Sequence, residues 1–415
     1  LLLAWERKSV SEAIENGRNP NLLGTSLWPE HIVEVQPDEV SGGIIVWEWH
    51  FWDHLVQDFD PIKLNYGVVA DHPELLDINY LGNVSPQAAD WQHCNSVDYN
   101  ADRDEIIISS RNFNEFYIID HSTTTEEAAG HVGGNSGRGG DLLYRWGNPM
   151  TYQRGTIEDR KSFGQHDVHW IKPGLADAGK IMFFNNGIGR PGGAHSTVDI
   201  IEPPLDTNGK YLLEADMPYG PEELSWTYES TPTSDFFSPN ISGAQRLPND
   251  NVLVCEGATG SFFEVDTQGD LHWSYINPVN QGGPMVQESN PVFNAVFRTY
   301  RYAPNYSAFN GRDLTPGDLI ELDPLPSDCE LTTNLITPVA KRTIVYPNPF
   351  KNYIMINSDE ALEGYIRITD ALGHLIFTTF INEKQNRIDL PPIRSGLYFL
   401  TLPNGQTSKL IAYLR

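Results

Sequence analysis

Cysteine is scarce in this chain: three residues in 415, Cys94, Cys255 and Cys329. Three thiols make no disulfide framework, and an odd count leaves at least one free or paired outside the chain. Basic residues are outnumbered, 28 Lys plus Arg against 55 Asp plus Glu, for a net charge of −27. That balance argues against a nucleic-acid or anionic-membrane partner. No run of 18 or more apolar residues occurs, so no transmembrane helix is expected. There is also no initiating Met and no signal peptide. The run Leu1 to Glu6 reads as a strand already under way, so the chain is expected to lack its start.

What the chain does have is aromatics, 10 Trp, 18 Tyr and 18 Phe, with 35 Gly and 29 Pro punctuating it at short intervals. That texture is all-β, and the length suggests two or three domains. Self-comparison shows a recurring unit of four short strands. One copy runs from Ser242 through Leu253-Val254 and Phe262 to Val265, and ends on His272 to Tyr275; others open at His93 and at Gln165-His166. Trp49, Trp146, Trp226 and Trp273 close successive units at uneven spacing. Repeats of four-stranded units imply a β-propeller with long insertions. About four blades are clear, and the rest is assigned to the missing start, to residues 300–322, or to both. Val10 to Gly17 reads as an inserted helix with Ser11 as N-cap and Gly17 as the stop.

Composition changes near Asp323. Residues 1–322 are expected to form the large domain and 323–343, rich in proline and polar residues, a linker. Residues 344–415 then carry short strands at regular spacing, including 353–356, 364–368, 374–377, 385–390, 396–400 and 408–411. That pattern predicts a small β-sandwich.

Candidate chemistry lies in polar runs beside apolar strands: Trp91 to Ser96, Ser109-Ser110-Arg111, and Gly164 to Asp167. His93 and Asn95 are two apart, so a strand presents both on one face. Arg111 follows Ile106 to Ile108 and would clamp a sulfate or phosphate bidentately. His166 and His169 are three apart, on opposite faces of a regular strand, and either could be the inward one. Upstream, His50 and His54 sit among Trp49 and Trp52, aromatics suited to stacking on an aryl substrate. For each His or Arg alone the bland reading is a satisfied core residue or a surface ion pair; it is the grouping that points to a site. The histidines raise a metal reading, but no helical H-x-x-x-H and no Cys/His zinc spacing is present, so no metal or cofactor is expected.

Two resemblances follow from these residues. Asp90 to Ser96, Ser109 to Arg111, Tyr144 to Pro149 and Ser242 to Asn249 together resemble the bacterial arylsulfotransferase (aryl-sulfate sulfotransferase) family over roughly residues 1–304. Val345 to Phe350, Asp370 to Gly373, Ser395 to Phe399 and Lys409-Leu410 resemble the C-terminal sorting domain of the type IX secretion system of Bacteroidota. The first implies a six-bladed propeller and a ping-pong sulfuryl transfer from an aryl sulfate to a phenol, without a nucleotide sulfate donor. The family's His-x-Asn pair falls on His93 and Asn95, its arginine on Arg111, its sulfated histidine on His166 with His169 as rival, and an earlier histidine on His54 with His50 as rival. His50, His169, Trp49 and Trp52 are expected to line the substrate site. The second resemblance implies export by the type IX machinery and a secreted or surface location on a Gram-negative cell, while the bland reading of the same residues is an ordinary Ig-like sandwich. Two other readings of the large domain stay open: a metal-dependent propeller hydrolase of lactones or esters, and a non-catalytic surface-binding propeller.

Overall fold

The computed structural model describes all residues except 39–40, 288, 290, 325–342, 359–360, 371–372, 404–406 and 413–415. It divides into two compact units, Leu1–Pro326 and Ser327–Arg415. Most of the expected linker, and Cys329 within it, lies outside the described residues.

The first unit is built from antiparallel sheets whose strands follow chain order. A three-stranded sheet holds β1 (Leu2–Trp5), β2 (Glu30–Pro37) and β3 (Gly43–His50). A short parallel pair follows, β4 (Leu55–Val56) and β5 (Leu76–Asp77). Three four-stranded meanders come next. The first comprises β6 (Cys94–Asn100), β7 (Glu105–Ser110), β8 (Glu115–Asp120) and β9 (Tyr144–Trp146). The second comprises β10 (His166–Trp170), β11 (Ile181–Asn185), β12 (Thr197–Ile201) and β13 (Trp226–Tyr228). The third comprises β14 (Gly243–Arg246), β15 (Val252–Glu256), β16 (Ser261–Val265) and β17 (Leu271–Ile276), and a two-stranded pair, β18 (Val279–Asn280) and β19 (Gly283–Pro284), follows it. Trp146, Trp226 and Trp273 do sit on last strands, whereas Trp49 ends a sheet of three. Residues 300–322 add no strand among those described, only a 3-10 turn at Ser307–Phe309 and a bridge from Leu322 to Val286.

Every residue of β7 and β8 is buried, although strand side chains alternate between faces. Both faces are covered. Ile106, Ile108, Tyr117 and Ile119 join a core with Ile32, Trp47 and Trp49 of the first sheet. Ile107, Phe116 and Ile118 point the other way, into a core with Val168, Ile181 and Phe183. Met182, Phe184, Val198 and Ile200 then pack on Ala244, Val252, Val254 and Val265. Consecutive sheets thus stack face to face, which explains why their middle strands read as unbroken apolar runs. The inserted helix α1 is Val10–Glu15, and its cap is Ser9 rather than Ser11. Glu12 stands three residues after Ser9 and completes a reciprocal capping box. A second short helix, α2, spans Thr125–Ala128.

In the second unit, β20 (Thr343–Tyr346), β21 (Tyr353–Ser358) and β24 (Gln385–Asp389) form one sheet. The other holds β22 (Gly364–Asp370), β23 (Leu375–Ile381), β25 (Gly396–Thr401) and β26 (Thr407–Ala412) in the order β23-β22-β25-β26. One apolar cluster draws on both sheets, with Ile354, Ile356 and Ile388 from the first and Ile366, Ile368, Leu400 and Leu410 from the second. No helix of the described residues is long and apolar enough to cross a membrane.

Phe183 is wholly buried with its ring 5.6 Å from those of Phe116 and Trp146, at the seam between two meanders. Phe183→Ala should lower unfolding free energy by about 3–5 kcal/mol, read from the urea midpoint at unchanged slope.

Candidate functional site

The strands β6 and β10 begin with the same irregularity. Cys94 pairs with Ser110 while Ser96 pairs with Ser109, so Asn95 is an extra residue. His166 pairs with Phe184 and His169 with Met182, three residues set against two. The bulge corrects the face assignment for the two histidines: it restores them to the side shared by Phe184 and Met182. Around these openings the backbone takes left-handed conformations at non-glycine residues: His93 (φ 51°), Asp167 (57°), Ile241 (48°) and Ser242 (88°). Such residues cost roughly 1–3 kcal/mol each and persist only where surrounding contacts hold them.

Those contacts are dense. Gln165 donates to Ser109 Oγ, Ser110 O and Glu115 O at 3.1, 3.0 and 2.7 Å, which ties the start of β10 to β7 and β8. Ser96 Oγ accepts from Val168 N at 3.0 Å. The buried Asp167 carboxylate meets Arg298 at 2.8 Å and accepts from Tyr300 Oη at 2.6 Å and Ala244 N at 3.1 Å. Gly243 must be glycine here, because a Cβ would lie 2.2 Å from Asp167 Oδ2. Arg298 also donates to Asn95 O at 3.0 Å, so one guanidinium braces both bulges. Burial works against its charge, yet Asp167 holds its pKa above the usual arginine value.

His166 is buried at the centre. Its Nδ1 faces two acceptors, Asn186 Oδ1 at 2.8 Å and Gly164 O at 3.1 Å, so Nδ1 carries the proton. Nε2 is then the lone-pair nitrogen, and it accepts from Ile241 N at 3.2 Å. Burial, reinforced by the nearby charges of Arg111 and His93, lowers the His166 pKa to about 4. The ring is therefore neutral at neutral pH.

Arg111 follows β7, and its backbone N donates to His93 O at 3.1 Å. Among the described residues no carboxylate lies within ion-pair distance of its guanidinium, whose one hydrogen bond goes to Asn112 at 3.3 Å. Its donors are left for an anion. His93 Nδ1 meets Asp90 Oδ2 at 2.5 Å. The Asn95 amide donates to Gln165 O at 2.7 Å. Behind them Glu30 accepts from Cys94 N and Trp5 Nε1, and burial pushes its carboxyl up to about 8, so it adds little negative charge at neutral pH. Burial also raises the thiols of Cys94 and of Cys255, the latter to about 12, and both are free.

The structure thus gathers His93, Asn95, Arg111 and His166. The other named residues lie around β3 or beside Asp167. His54 is fully buried, with Nδ1 at 2.9 Å from Asp141 Oδ1 and Nε2 at 2.8 Å from Ala128 O, so both nitrogens are engaged. Trp49 is fully buried too, stacked on His54 and donating to Gly140 O, and offers no face to a substrate. His50 stacks on His31 and bonds Glu6, which raises its pKa. Trp52 lies under the Lys8 ammonium. His169 turns Nδ1 to Asp167 O at 2.7 Å. Sequence reading placed Asp167 in a polar run without giving it a role, and missed Asn186, Arg298 and Tyr300. Asp167 adjoined a flagged histidine, but Arg298 and Tyr300 sit in an irregular stretch with no motif to expose them. A groove of about 560 Å³ lined by Trp146, Tyr152, Arg154 and Lys161 among others includes none of the four gathered residues.

The family model for arylsulfotransferases (ASST) matches residues 24–298, about two thirds of the chain. The chain belongs to the arylsulfotransferase family. All four gathered residues fall inside the matched segment, and Arg298 is its last residue. Residues 344–412 match the secretion system C-terminal sorting domain, which directs this arylsulfotransferase-family protein to the outer surface or out of the cell. No curated protein matches the chain. Among solved structures, a Bacteroides caccae protein of unknown function is 13% identical over 87% of this chain and 99% of its own, with a TM-score of 0.27. Virginiamycin B lyase from Staphylococcus aureus is 10% identical over 78% and 85%, with a TM-score of 0.24. PorZ, a surface component of the Porphyromonas gingivalis type IX secretion system, is 9% identical over 96% and 51%, with a TM-score of 0.21.

His166 links folding to pH. Its folded pKa, about 4, lies below the unfolded 6.5, so between those values the unfolded chain binds a proton the folded chain lacks. Stability should fall by about 3 kcal/mol as pH drops from 6.5 to 4. The difference between wild-type and His166→Gln denaturation midpoints across that window isolates this contribution; a difference that does not change with pH contradicts it.

Proposed function

We propose that this protein moves a sulfuryl group from an aryl sulfate to a phenol through a covalent sulfohistidine on His166. The observation that carries the reading is the locked tautomer: Nδ1–H is held by Asn186 and Gly164, so a neutral ring offers Nε2 as the lone pair. In the first half-reaction Nε2 attacks sulfur, the N–S bond forms, the S–O bond to the aryl group breaks, and the phenolate leaves with the electron pair. In the second, the acceptor oxygen attacks sulfur, its proton passes to solvent or a base, and the N–S pair returns to Nε2. The weak contact from Ile241 N to Nε2 is the one that gives way.

Arg111, with unpaired donors, neutralises the sulfuryl oxygens as charge develops. Asp90 holds Nδ1–H of His93, so that a protonated His93 assists the departing phenolate through Nε2. Asn95 acts by holding the bulge through Gln165 O and Arg298. His54, buried with both nitrogens engaged, stands outside this set, as do His50, Trp49 and Trp52. We further read the stacked meanders, over residues 1–322, as blades of a six-bladed propeller and residues 344–415 as an Ig-like sandwich read by the type IX machinery.

With 4-nitrophenyl sulfate as donor, nitrophenol release should depend on an added phenol and need no added metal. Calcium-dependent release without phenol would point to a hydrolase, and no release to a binding propeller. His166→Ala should cut transfer by at least roughly a thousandfold, and Arg111→Ala by roughly a hundredfold or more. Intact mass and peptide mapping after donor alone should place a sulfuryl adduct on His166. An adduct on His169, or full activity in His166→Ala, removes the assignment.

A further inference from the structure

We propose that His54, His131 and Asp141 form a divalent-metal site that closes the glycine-rich loop between α2 and β9. This inference is independent of the sulfuryl-transfer reading, and it reverses the metal-free expectation drawn from sequence spacing.

Three potential ligand atoms converge, all within 4.8 Å of one another. Asp141 Oδ1 lies 2.9 Å from His54 Nδ1 and 2.7 Å from His131 Nδ1. Two atoms each about 2.1 Å from a tetrahedral zinc ion lie about 3.4 Å apart, so a bound ion would spread each of these pairs by roughly half an ångström or a little more. The two imidazoles meet at 87°, edge to face, with centroids 5.8 Å apart.

Hydrogen-bond chemistry at His54 supplies the second observation. Its Nε2 faces the Ala128 carbonyl at 2.8 Å, and a carbonyl oxygen only accepts, so the proton sits on Nε2. In the neutral ring Nδ1 is then a lone pair aimed at a carboxylate oxygen, which is repulsive unless a cation stands between them. Satisfying this oxygen with protons instead takes a doubly protonated His54 together with an Nδ1–H on His131; one metal ion serves all three groups with both imidazoles neutral. The bond from Nε2–H to a backbone carbonyl is the outer-sphere arrangement that metal-bound histidines ordinarily make.

The surroundings fit such a clip. His54 is fully buried and Asp141 nearly so, while His131 stands in solvent, leaving an open side for water. Two imidazoles and a carboxylate suit zinc; calcium would need six to eight oxygens. His131 and Asp141 lie at the two ends of a loop in which six of the eleven residues from Gly130 to Gly140 are glycine. A chain that flexible loses much entropy on ordering, and a metal joining its ends to His54 would oppose that loss. Gly140 is required by packing, since a Cβ there would lie 2.0 Å from Ala128 O and 2.6 Å from His54 Nε2.

The test uses the full chain, stripped with a chelator and titrated with Co²⁺. Wild type should take up one equivalent with ligand-field absorption that Zn²⁺ abolishes, and zinc should slow tryptic cleavage after Arg138 within the loop. His131→Ala, at an exposed position, should weaken Co²⁺ binding at least tenfold, the low end of what losing even an outer-sphere partner costs, and should remove the protection. His272→Ala, which breaks an exposed His–Asp pair elsewhere, should change neither. No Co²⁺ uptake by wild type, equal affinity in wild type and His131→Ala, or cleavage after Arg138 that ignores zinc would overturn the site.

Discussion

The buried carboxylate of Asp167 is the constraint on which the rest of the site depends. It sits in a left-handed conformation at a strand bulge and is met by Arg298, Tyr300 Oη and the backbone N of Ala244. A buried carboxylate left without partners costs several kcal/mol, so these groups are held as firmly as they hold it. Through Arg298 the constraint reaches Asn95 on the neighbouring meander, and through Ala244 it reaches the next sheet. Three sheet openings are thereby fixed against one another. The strained backbone at His93, Ile241 and Ser242 is tolerated inside that frame.

Charge is arranged locally against the chain's overall balance. A net charge of −27 would repel an anionic substrate at a distance. Inside the cluster the balance inverts: Arg111 has no carboxylate partner among the described residues, and Glu30 is held largely neutral by burial. Asp167 is neutralised by Arg298, and Asp90 is committed to His93. Burial then does double duty at His166, keeping the ring uncharged while its tautomer is set by Asn186 and Gly164. A neutral imidazole among cationic groups is the state in which a nitrogen lone pair and an anion can approach each other.

The histidines divide into two groups with different physical settings. His93 and His166 stand at bulged strand openings, where irregular backbone frees side chains from the packed faces. His54 lies under Trp49 in the core beside β3, at the edge of the glycine-rich loop, where stacking and two close oxygen contacts immobilise it. Residue type alone does not separate these roles; what each ring nitrogen faces does.

The sequence by itself determined the all-β class, most strands of the three meanders and of the second unit, and, within a longer set of candidates, the four residues that the structure gathers, because alternation, turn residues and polar runs beside apolar strands are local signals. It also carried the capping signal at Ser9 and Glu12, two residues ahead of the Ser11 expected as the cap. Only the tertiary structure decided what depends on distant partners. A bulge turned His166 and His169 toward one side; Arg298, without any motif of its own, bridged two sheet openings; and His131 and Asp141 closed on His54 from well over seventy residues away in sequence. Periodicity reports which face of a strand a residue occupies, but not where the strand slips a residue or what packs against it, and those two facts set the chemistry.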